Sequence, residues 1–331
     1  MAVTSDKSSP AVPSDKSLPA VTWVEIDQDY SGQRIDNFLI TRLKGVPKSM
    51  IYRILRKGEV RVNKKRVKAP YRLEPGDLVR IPPVRVSSPK DPVKVGKGLT
   101  ETLEKSILFE NDQLLVVNKP SGLAVHGGSG VSLGLIEALR QIRPNAKFLE
   151  LVHRLDRDTS GCIMVAKKRS ALKALHEDLR NGRINKIYKA LVIGRWPNRK
   201  KKVDAPLRKN DLQSGERLVR VSQDGKESLT EFKVLWRFSD VTLVEAKPIT
   251  GRTHQIRVHS QFAGHSIIGD EKYGDEKFNK VMKEKGIRRL FLHAFELRLC
   301  LPNSRERITV CAPLEESLKQ ALDRLAPYID S

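Results

Sequence analysis

The sequence predicts an α+β fold in which strands outnumber helices and most neighbouring strands run antiparallel. Apolar and polar residues alternate in short runs, as in EVRVN at 59–63 and SLTEFKVLWRF at 228–238. The runs are joined by short turns, such as Ser239-Asp240 before DVTLVEAKP, and short connections favour antiparallel pairing. Helical spacing of apolar residues is confined to a few segments, which include RIDNFLITRL and SALKALHEDLR.

Changes in composition divide the chain into four parts. Residues 1–22 contain the near-repeat SDKSSPAVP and SDKSLPAVT, which is too polar and proline-rich to fold and predicts a disordered tail. Residues 23–83 carry two short helices, the second ending at Gly58, followed by strands. Residues 84–102 are rich in Pro, Ser, Gly and Lys and predict a linker. We expect the second domain to span residues 103–331.

Charge points to a polyanionic partner. The chain has 62 lysines and arginines against 39 aspartates and glutamates, a net charge of +23. Residues 32–95 alone hold 17 against 5, a net +12 concentrated around RILRKGEVRVNKKRVK. Such a density favours a phosphate-binding surface over a merely solvated face, so nucleic acid is the leading partner and an anionic membrane the weaker one.

Several classes of protein are disfavoured by the same composition. No apolar run approaches the ~20 residues needed to cross a membrane, and the polar amino terminus does not resemble a signal peptide, so we expect a cytoplasmic protein. The cysteines are three in number and show no CxxC pairing, which disfavours a disulfide framework or a zinc ribbon. The glycines at 127–134 match neither dinucleotide-binding nor P-loop spacing.

The stretch LVHRLDRDTSG at 151–161 is unusually charged for its surroundings. FLELV and GCIMVAKK on either side predict strands, so HRLDRDTS lies on the loop between them, where chemistry commonly sits. An ordinary polar turn is the alternative. DRDTSG partly matches a calcium loop, but the twelfth position holds Lys167 in place of glutamate.

Two further segments carry candidate functional residues. His254 and His259 in GRTHQIRVH are five residues apart, unlike the i, i+4 pair of a zinc protease, so a metal site is not indicated. The same segment carries Arg257, and we expect Thr253 to cap its helix. Ser170 is expected to cap the helix SALKALHEDLR.

Four ordered motifs identify a resemblance to a known family. HRLDRDTSG at 153–161, KIYKALV at 186–192, GRTHQIRVH at 251–259 and GDEKYG at 269–274 resemble those of the RluA-type RNA pseudouridine synthases. The basic region from 32 to about 95 resembles the S4 RNA-binding domain. The resemblance therefore implies a small S4-like RNA-binding domain followed by a mainly antiparallel, mixed-sheet pseudouridine synthase catalytic domain.

The resemblance also implies a reaction and its residues. The N1–C1′ bond of a uridine breaks, the base turns, and C5 joins C1′, without cofactor or metal. Asp156 matches the catalytic aspartate, which adds to the sugar or takes a proton from it. Arg257 matches the arginine that pairs with this aspartate and keeps it ionised. Tyr188 matches the tyrosine that stacks on the base and whose hydroxyl is a candidate to assist proton removal at C5.

The implied partner is RNA, specifically large-subunit ribosomal RNA, bound by a monomer with no role for DNA or a membrane. Arg154 matches the residue that inserts into the RNA stack when the uridine flips out. The other expected RNA contacts are cationic or ring side chains near the loop and in the first domain: His153, Arg157, Arg252, Arg34, Arg53, Arg56, Lys57, Arg61, Lys64, Lys65 and Arg66. A non-catalytic RNA-binding factor of ribosome assembly is the alternative, and it would not need Asp156, Tyr188 and Arg257 together.

Overall fold

The computed structural model describes residues 20–43, 45–84, 93–127, 131, 133–211 and 217–325. It divides into two compact units, residues 1–92 and 93–331. Most of the expected tail lies outside the described residues, and the first strand begins at Thr22, the last residue assigned to that tail. Each unit has its own apolar core and is described by itself.

The first unit packs two helices on one face of a small antiparallel sheet. Its elements are β1 (Thr22–Glu25), a short 3-10 turn (Gln28–Tyr30), α1 (Ile35–Arg42), α2 (Lys48–Lys57), β2 (Arg61–Val62), β3 (Lys65–Arg66) and β4 (Leu78–Ile81). The strands are ordered β1-β4-β2-β3. Phe38, Ile51 and Ile54 from the helices share a buried cluster with Val62 and Val79 from the sheet, because each element places its apolar residues on one side.

The second unit is built on a large mixed sheet. Its strands are β5 (Ile107–Glu110), β6 (Leu114–Lys119), β7 (Glu150–Leu151), β8 (Ser160–Ala166), β9 (Asn185–Ile193), β10 (Lys202–Asp204), β11 (Leu207–Asp211), β12 (Arg217–Val221), β13 (Leu229–Arg237), β14 (Val241–Pro248), β15 (Leu292–Cys300) and β16 (Arg307–Cys311). Its helices are α3 (Lys97–Lys105), α4 (Leu135–Ile142), α5 (Arg169–Arg180), α6 (Gln255–Phe262), α7 (Glu276–Glu284) and α8 (Glu316–Asp323).

The strands of this sheet are antiparallel except at one place. The path runs β10-β13-β14-β9-β15-β8-β6-β5, with β16 beside β15, β7 beside β8, and β11-β12 as a separate pair. Pairing along the path is antiparallel except between β15 and β8, where Ala294 lies opposite Gly161. At Gly161, φ is +107°, and a Cβ there would lie 2.3 Å from the Ala294 carbonyl oxygen, so only glycine fits. The mainly antiparallel mixed sheet confirms the predicted fold class.

Three local expectations differ from the structure. The segment 84–102, expected to be a linker, contains Val93, where the second unit begins, and most of α3, whose Leu103 is buried in the main core. Lys168, not Ser170, precedes α5, and no side chain caps it. His254, not Thr253, precedes α6, also without a side-chain cap. Residue preferences for capping therefore misplaced both helix starts by one or two positions.

Candidate active site

The loop between β7 and β8 carries Asp156 and is supported by Lys119, the last residue of β6, and by Ser121, which follows that strand. Lys119 has a fully buried side chain whose ammonium donates to the carbonyl oxygens of Pro120 and Leu123 at 2.8 Å and of Arg157 at 2.9 Å. Burial lowers the pKa of Lys119 to about 7. The three carbonyl oxygens oppose the effect of burial on the charged form, because they match the three N–H donors of an ammonium. Ser121 adds a hydrogen bond to the Asp158 carbonyl at 2.8 Å. The loop is therefore fixed through its backbone.

Arg257 lies between two carboxylates. Its Nη1 donates to Asp156 Oδ2 at 3.1 Å, while Nε and Nη2 donate to the two oxygens of Asp270 at 2.7 and 2.8 Å. Burial opposes the charge of Arg257, but its hydrogen bonds to Asp270 and the charges of both aspartates outweigh burial and raise its pKa. The guanidinium thus remains a fixed cation beside Asp156, as the resemblance implied.

Asp270 is the buried anchor of this arrangement. Its side chain is fully buried, and Oδ1 also accepts from the backbone N–H groups of Lys272 and Tyr273 at 2.9 and 3.0 Å. Burial alone would raise the pKa of Asp270, but the hydrogen bonds and charge of Arg257, helped by these two amides, lower it. Asp270 therefore stays ionised and holds the fork of Arg257 in one orientation.

His254 approaches Asp156 from the start of α6. Its Nδ1 shares a 2.8 Å hydrogen bond with the Tyr273 hydroxyl, and its Nε2 lies 3.8 Å from Asp156 Oδ1. The backbone of His254 has φ +52°, a left-handed conformation uncommon outside glycine and typical of constrained positions. Burial lowers the pKa of His254, which keeps the ring neutral at pH 7. Asp156 Oδ1 accepts no hydrogen bond from any other residue in the described part of the chain.

Two cavities meet at these residues. The larger, about 950 Å³, and the smaller, about 620 Å³, share Arg154, Leu155, Asp156, His254 and Arg257. Tyr188, on β9, lines only the smaller cavity. Burial first, and then the charge of Asp156, raises the pKa of Tyr188, so its hydroxyl is protonated at pH 7 and is a poor base. The arrangement places a carboxylate beside an aromatic ring in a space large enough for a nucleotide base.

The other residues predicted near the loop occupy different environments. Arg154 is exposed between the two cavities, and Arg157 is exposed with its Nε 3.1 Å from Asp158 Oδ1. The Arg252 side chain donates to the Glu227 carbonyl at 3.1 Å. His153 Nε2 accepts from the Met164 backbone N–H at 3.1 Å, and burial lowers the pKa of His153 to about 3. His153 is therefore a neutral lining residue of the smaller cavity and not a cationic phosphate contact.

The predicted cations of the first unit form a surface around the end of α2. Exposed side chains project from the helix and from the hairpin that follows it: Arg53, Arg56, Lys57, Arg61, Lys64, Lys65 and Arg66. Gly58 ends α2 with φ +72°, and a Cβ there would overlap the Arg66 side chain, which packs across it. Arg34 is also part-exposed, but its guanidinium donates two hydrogen bonds to the buried carboxylate of Asp36, at 2.7 and 3.1 Å.

Neither a metal centre nor a membrane span is found in the part of the chain that the structure describes. No cluster of three or more His, Cys, Asp or Glu residues has a metal-binding arrangement there. No helix among those residues has the length and apolarity to cross a bilayer.

Sequence reasoning missed four residues that complete the site. Asp270 and Tyr273 lay within a motif noted only for its resemblance, Lys119 lay outside the four motifs, and His254 was considered only as a metal ligand. Lys186, which lines the smaller cavity beside Tyr188, was a fifth residue within a noted motif with no role assigned. The first four act on partners distant in sequence, such as Arg157 for Lys119 and Arg257 for Asp270, and the motifs gave no sign of those partners.

Comparison with known proteins identifies the family of the chain. A model of the RNA pseudouridylate synthase family matches residues 113–262, and a model of the S4 domain matches residues 33–79. The chain is 58% identical over 307 residues to "Ribosomal large subunit pseudouridine synthase C" of Pasteurella multocida (strain Pm70), covering 92% of this chain and 94% of that one. It is 59% identical over 309 residues to the protein of the same name from Escherichia coli (strain K12), covering 92% and 97%.

Solved structures give the same result. The structure titled "Human RNA Pseudouridylate Synthase Domain Containing 4" is 29% identical, with a TM-score of 0.57, over 69% of this chain and 95% of that one. The fold and the carboxylate site thus define an RNA-modifying enzyme with an S4 domain. The chain belongs to the RNA pseudouridylate synthase family and is an RNA pseudouridine synthase, which confirms the resemblance in the sequence.

Proposed function

We propose that this enzyme converts uridine to pseudouridine in large-subunit ribosomal RNA, with Asp156 as its catalytic carboxylate and without a cofactor. The observation that carries the proposal is the asymmetry of Asp156: Oδ2 is held by Arg257, while Oδ1 accepts no hydrogen bond within the described part of the chain. An ionised carboxylate with one restrained oxygen and one available oxygen is suited to attack or to proton abstraction.

The reaction exchanges one bond to the sugar for another. The N1–C1′ bond breaks, C5 bonds to C1′, C5 loses its proton, and N1 gains one, so that RNA length and mass are unchanged. Asp156 Oδ1 either adds to C1′ and is later displaced by C5, or removes a ribose proton and returns it. Arg257 stabilises the carboxylate in both cases, because it stays charged and fixed by Asp270.

Tyr188 and Arg154 prepare the substrate. Because the phenol of Tyr188 is protonated, we assign its ring the role of a stacking surface for uracil, with the hydroxyl as a hydrogen-bond donor. A uridine within folded RNA must leave its stack, at a cost of a few kcal/mol. We assign Arg154, which is exposed and lines both cavities, the role of entering the vacated position.

The choice of RNA rests on the first unit and on the relatives. The cations on α2 and the hairpin offer several charges that would attract phosphates, so we assign them the role of supplying affinity and placement. The relatives at 58% and 59% identity are named as large-subunit enzymes, and the match covers nearly their whole length. We extend that substrate to this chain and expect the protein to act as a monomer.

The test compares Asp156→Asn with Asp112→Asn, an exposed aspartate on the turn between β5 and β6. Release of tritium from [5-³H]uridine in large-subunit RNA transcripts measures the reaction, and filter binding measures affinity. We expect Asp156→Asn to lose activity and keep RNA affinity, and Asp112→Asn to match the wild type. Substantial turnover by purified Asp156→Asn would contradict the assignment.

The cofactor-free proposal has its own measurement. Protein treated exhaustively with a chelator and assayed on RNA folded beforehand should retain the wild-type rate. Activity lost on chelation and restored by zinc alone would revive a metal-dependent mechanism.

A further inference from the structure

The smaller cavity is lined by three cations that have no acidic partner among the described residues. Arg180 at the end of α5, Lys186 on β9 and Arg252 on the loop after β14 all line it. The one carboxylate among the lining residues is Asp156, which is already paired with Arg257. These three side chains therefore bring positive charge to the cavity that no other carboxylate of its lining offsets.

Lys186 is the unusual member of the group. Alternate residues of a strand face the same side, so Lys186 and Tyr188 share a face about 6.6 Å apart along β9. The ammonium lies beside the loop after β14, since a Cβ on Gly251 would be 3.8 Å from its nitrogen. Within the described residues it makes no hydrogen bond or ion pair. Burial lowers its pKa, and no carboxylate among the described residues opposes that effect.

Lys119 shows what a satisfied buried lysine looks like in the same protein. Its nitrogen meets three carbonyl oxygens within 2.9 Å, whereas that of Lys186 meets none. Lys186 is half-buried, so its ammonium loses part of its hydration, and no group among the described residues replaces what is lost. An anion brought by the substrate would replace it.

We propose that Arg180, Lys186 and Arg252 form a subsite for the RNA backbone phosphate adjoining the flipped uridine. The inference rests on the proposed function, because it places the uracil on Tyr188. A nucleotide joins a flat base to an anionic phosphate a few ångströms away, and the cavity is lined by both the Tyr188 ring and these cations, with Lys186 two residues from Tyr188 on β9. Arg180 makes no hydrogen bond to described residues, and Arg252 commits only Nε, so guanidinium donors remain for phosphate oxygens.

The experiment uses the full-length protein and three variants. Lys186→Met removes the charge and keeps the length, Lys186→Arg keeps the charge, and Lys173→Met changes an exposed lysine on α5 as the control. Single-turnover rates are measured against the concentration of one rRNA transcript across a salt series. We expect Lys186→Met to raise the half-saturating RNA concentration about tenfold and to reduce the salt slope by about 0.7 to 0.9. Its maximal rate should stay near that of the wild type.

Thermal unfolding separates binding from a structural role. Because Lys186→Met removes a desolvated charge, its Tm should equal or exceed that of the wild type, and Lys186→Arg should retain the salt slope. A lowered Tm with unchanged half-saturation would make Lys186 structural and overturn the proposal. A lowered maximal rate with unchanged half-saturation and slope would mean that the cation acts on the base, which also overturns it. Absence of product with wild-type protein would instead refute the proposed function.

Discussion

Arg257 and Asp270 form a buried ion pair whose removal can be tested one partner at a time. Their side chains are 9% and 0% exposed, so solvent screening gives no reason to discount the interaction. Arg257→Met leaves the carboxylate of Asp270 with two backbone amides, and breaking such a pair costs about 3 to 5 kcal/mol. Asp270→Asn should cost less, because Arg257 keeps Asp156 as a partner.

The double variant Arg257→Met/Asp270→Asn removes both buried charges. We expect it to be more stable than Arg257→Met alone. The destabilisation of the double variant should therefore be smaller than the sum of the two single changes in the free energy of unfolding, by about 3 kcal/mol. Catalysis should not recover, because Asp156 still lacks its arginine. The loss of one charge-assisted hydrogen bond, about 1.5 to 3 kcal/mol, corresponds to about a 10- to 100-fold lower rate.

Urea unfolding and single-turnover pseudouridine formation measure these two effects separately. The free energy of unfolding measured at acid pH adds a check, since the pKa of Asp270 is lowered in the folded protein. The contribution of Asp270 to stability is complete above its ordinary pKa near 4 and is lost as the pH falls through the lower native value. Asp270→Asn should lack that loss. Additive destabilisation in the double variant, or a wild-type rate in Arg257→Met, would refute the reasoning.

Two further predictions concern the surroundings of the site. His254→Asn should keep the left-handed backbone that asparagine tolerates, lower the single-turnover rate, and leave RNA affinity and Tm near wild type; an unchanged rate would remove His254 from the site. Replacement of Arg53, Arg56 and Lys57 by glutamine should reduce the salt slope of RNA binding by about two to three, with the maximal rate at saturating RNA retained. An unchanged slope would show that these cations face only solvent.

Elements set by local pattern were predicted well. The β13–β14 hairpin, the strands around the Asp156 loop and the end of α2 at Gly58 follow from alternation, helical spacing and a glycine. The start of α6 was misplaced by one residue, because the helix is preceded by His254 in a left-handed conformation, and the ring of His254 bonds to Tyr273, 19 residues later. The second half of the expected linker becomes α3 because Leu103 finds a buried place in a core formed by distant strands.

The contacts of the site were likewise predicted only in part. The contact between Asp156 and Arg257 was expected from two motifs and is present at 3.1 Å. The anchoring by Asp270 and the support from Lys119 could not be predicted, since they depend on which loops the sheet brings together. His153 was expected as a cation or pocket contact because of its position in the motif, but its burial and its hydrogen bond from the Met164 amide determine its charge.

The parallel pairing of β8 with β15 has a consequence for a chain that is still being synthesised. Ser160 meets His293, 133 residues later, and Asp156 meets Arg257 101 residues later, whereas the contacts of the first unit close within its own residues. Domains emerging from the ribosome fold from the amino terminus onward. A growing chain should thus present its basic surface to RNA well before its carboxylate acquires a partner. Each molecule would be able to hold RNA before it can modify it, and a product truncated before β15 would hold RNA without ever modifying it.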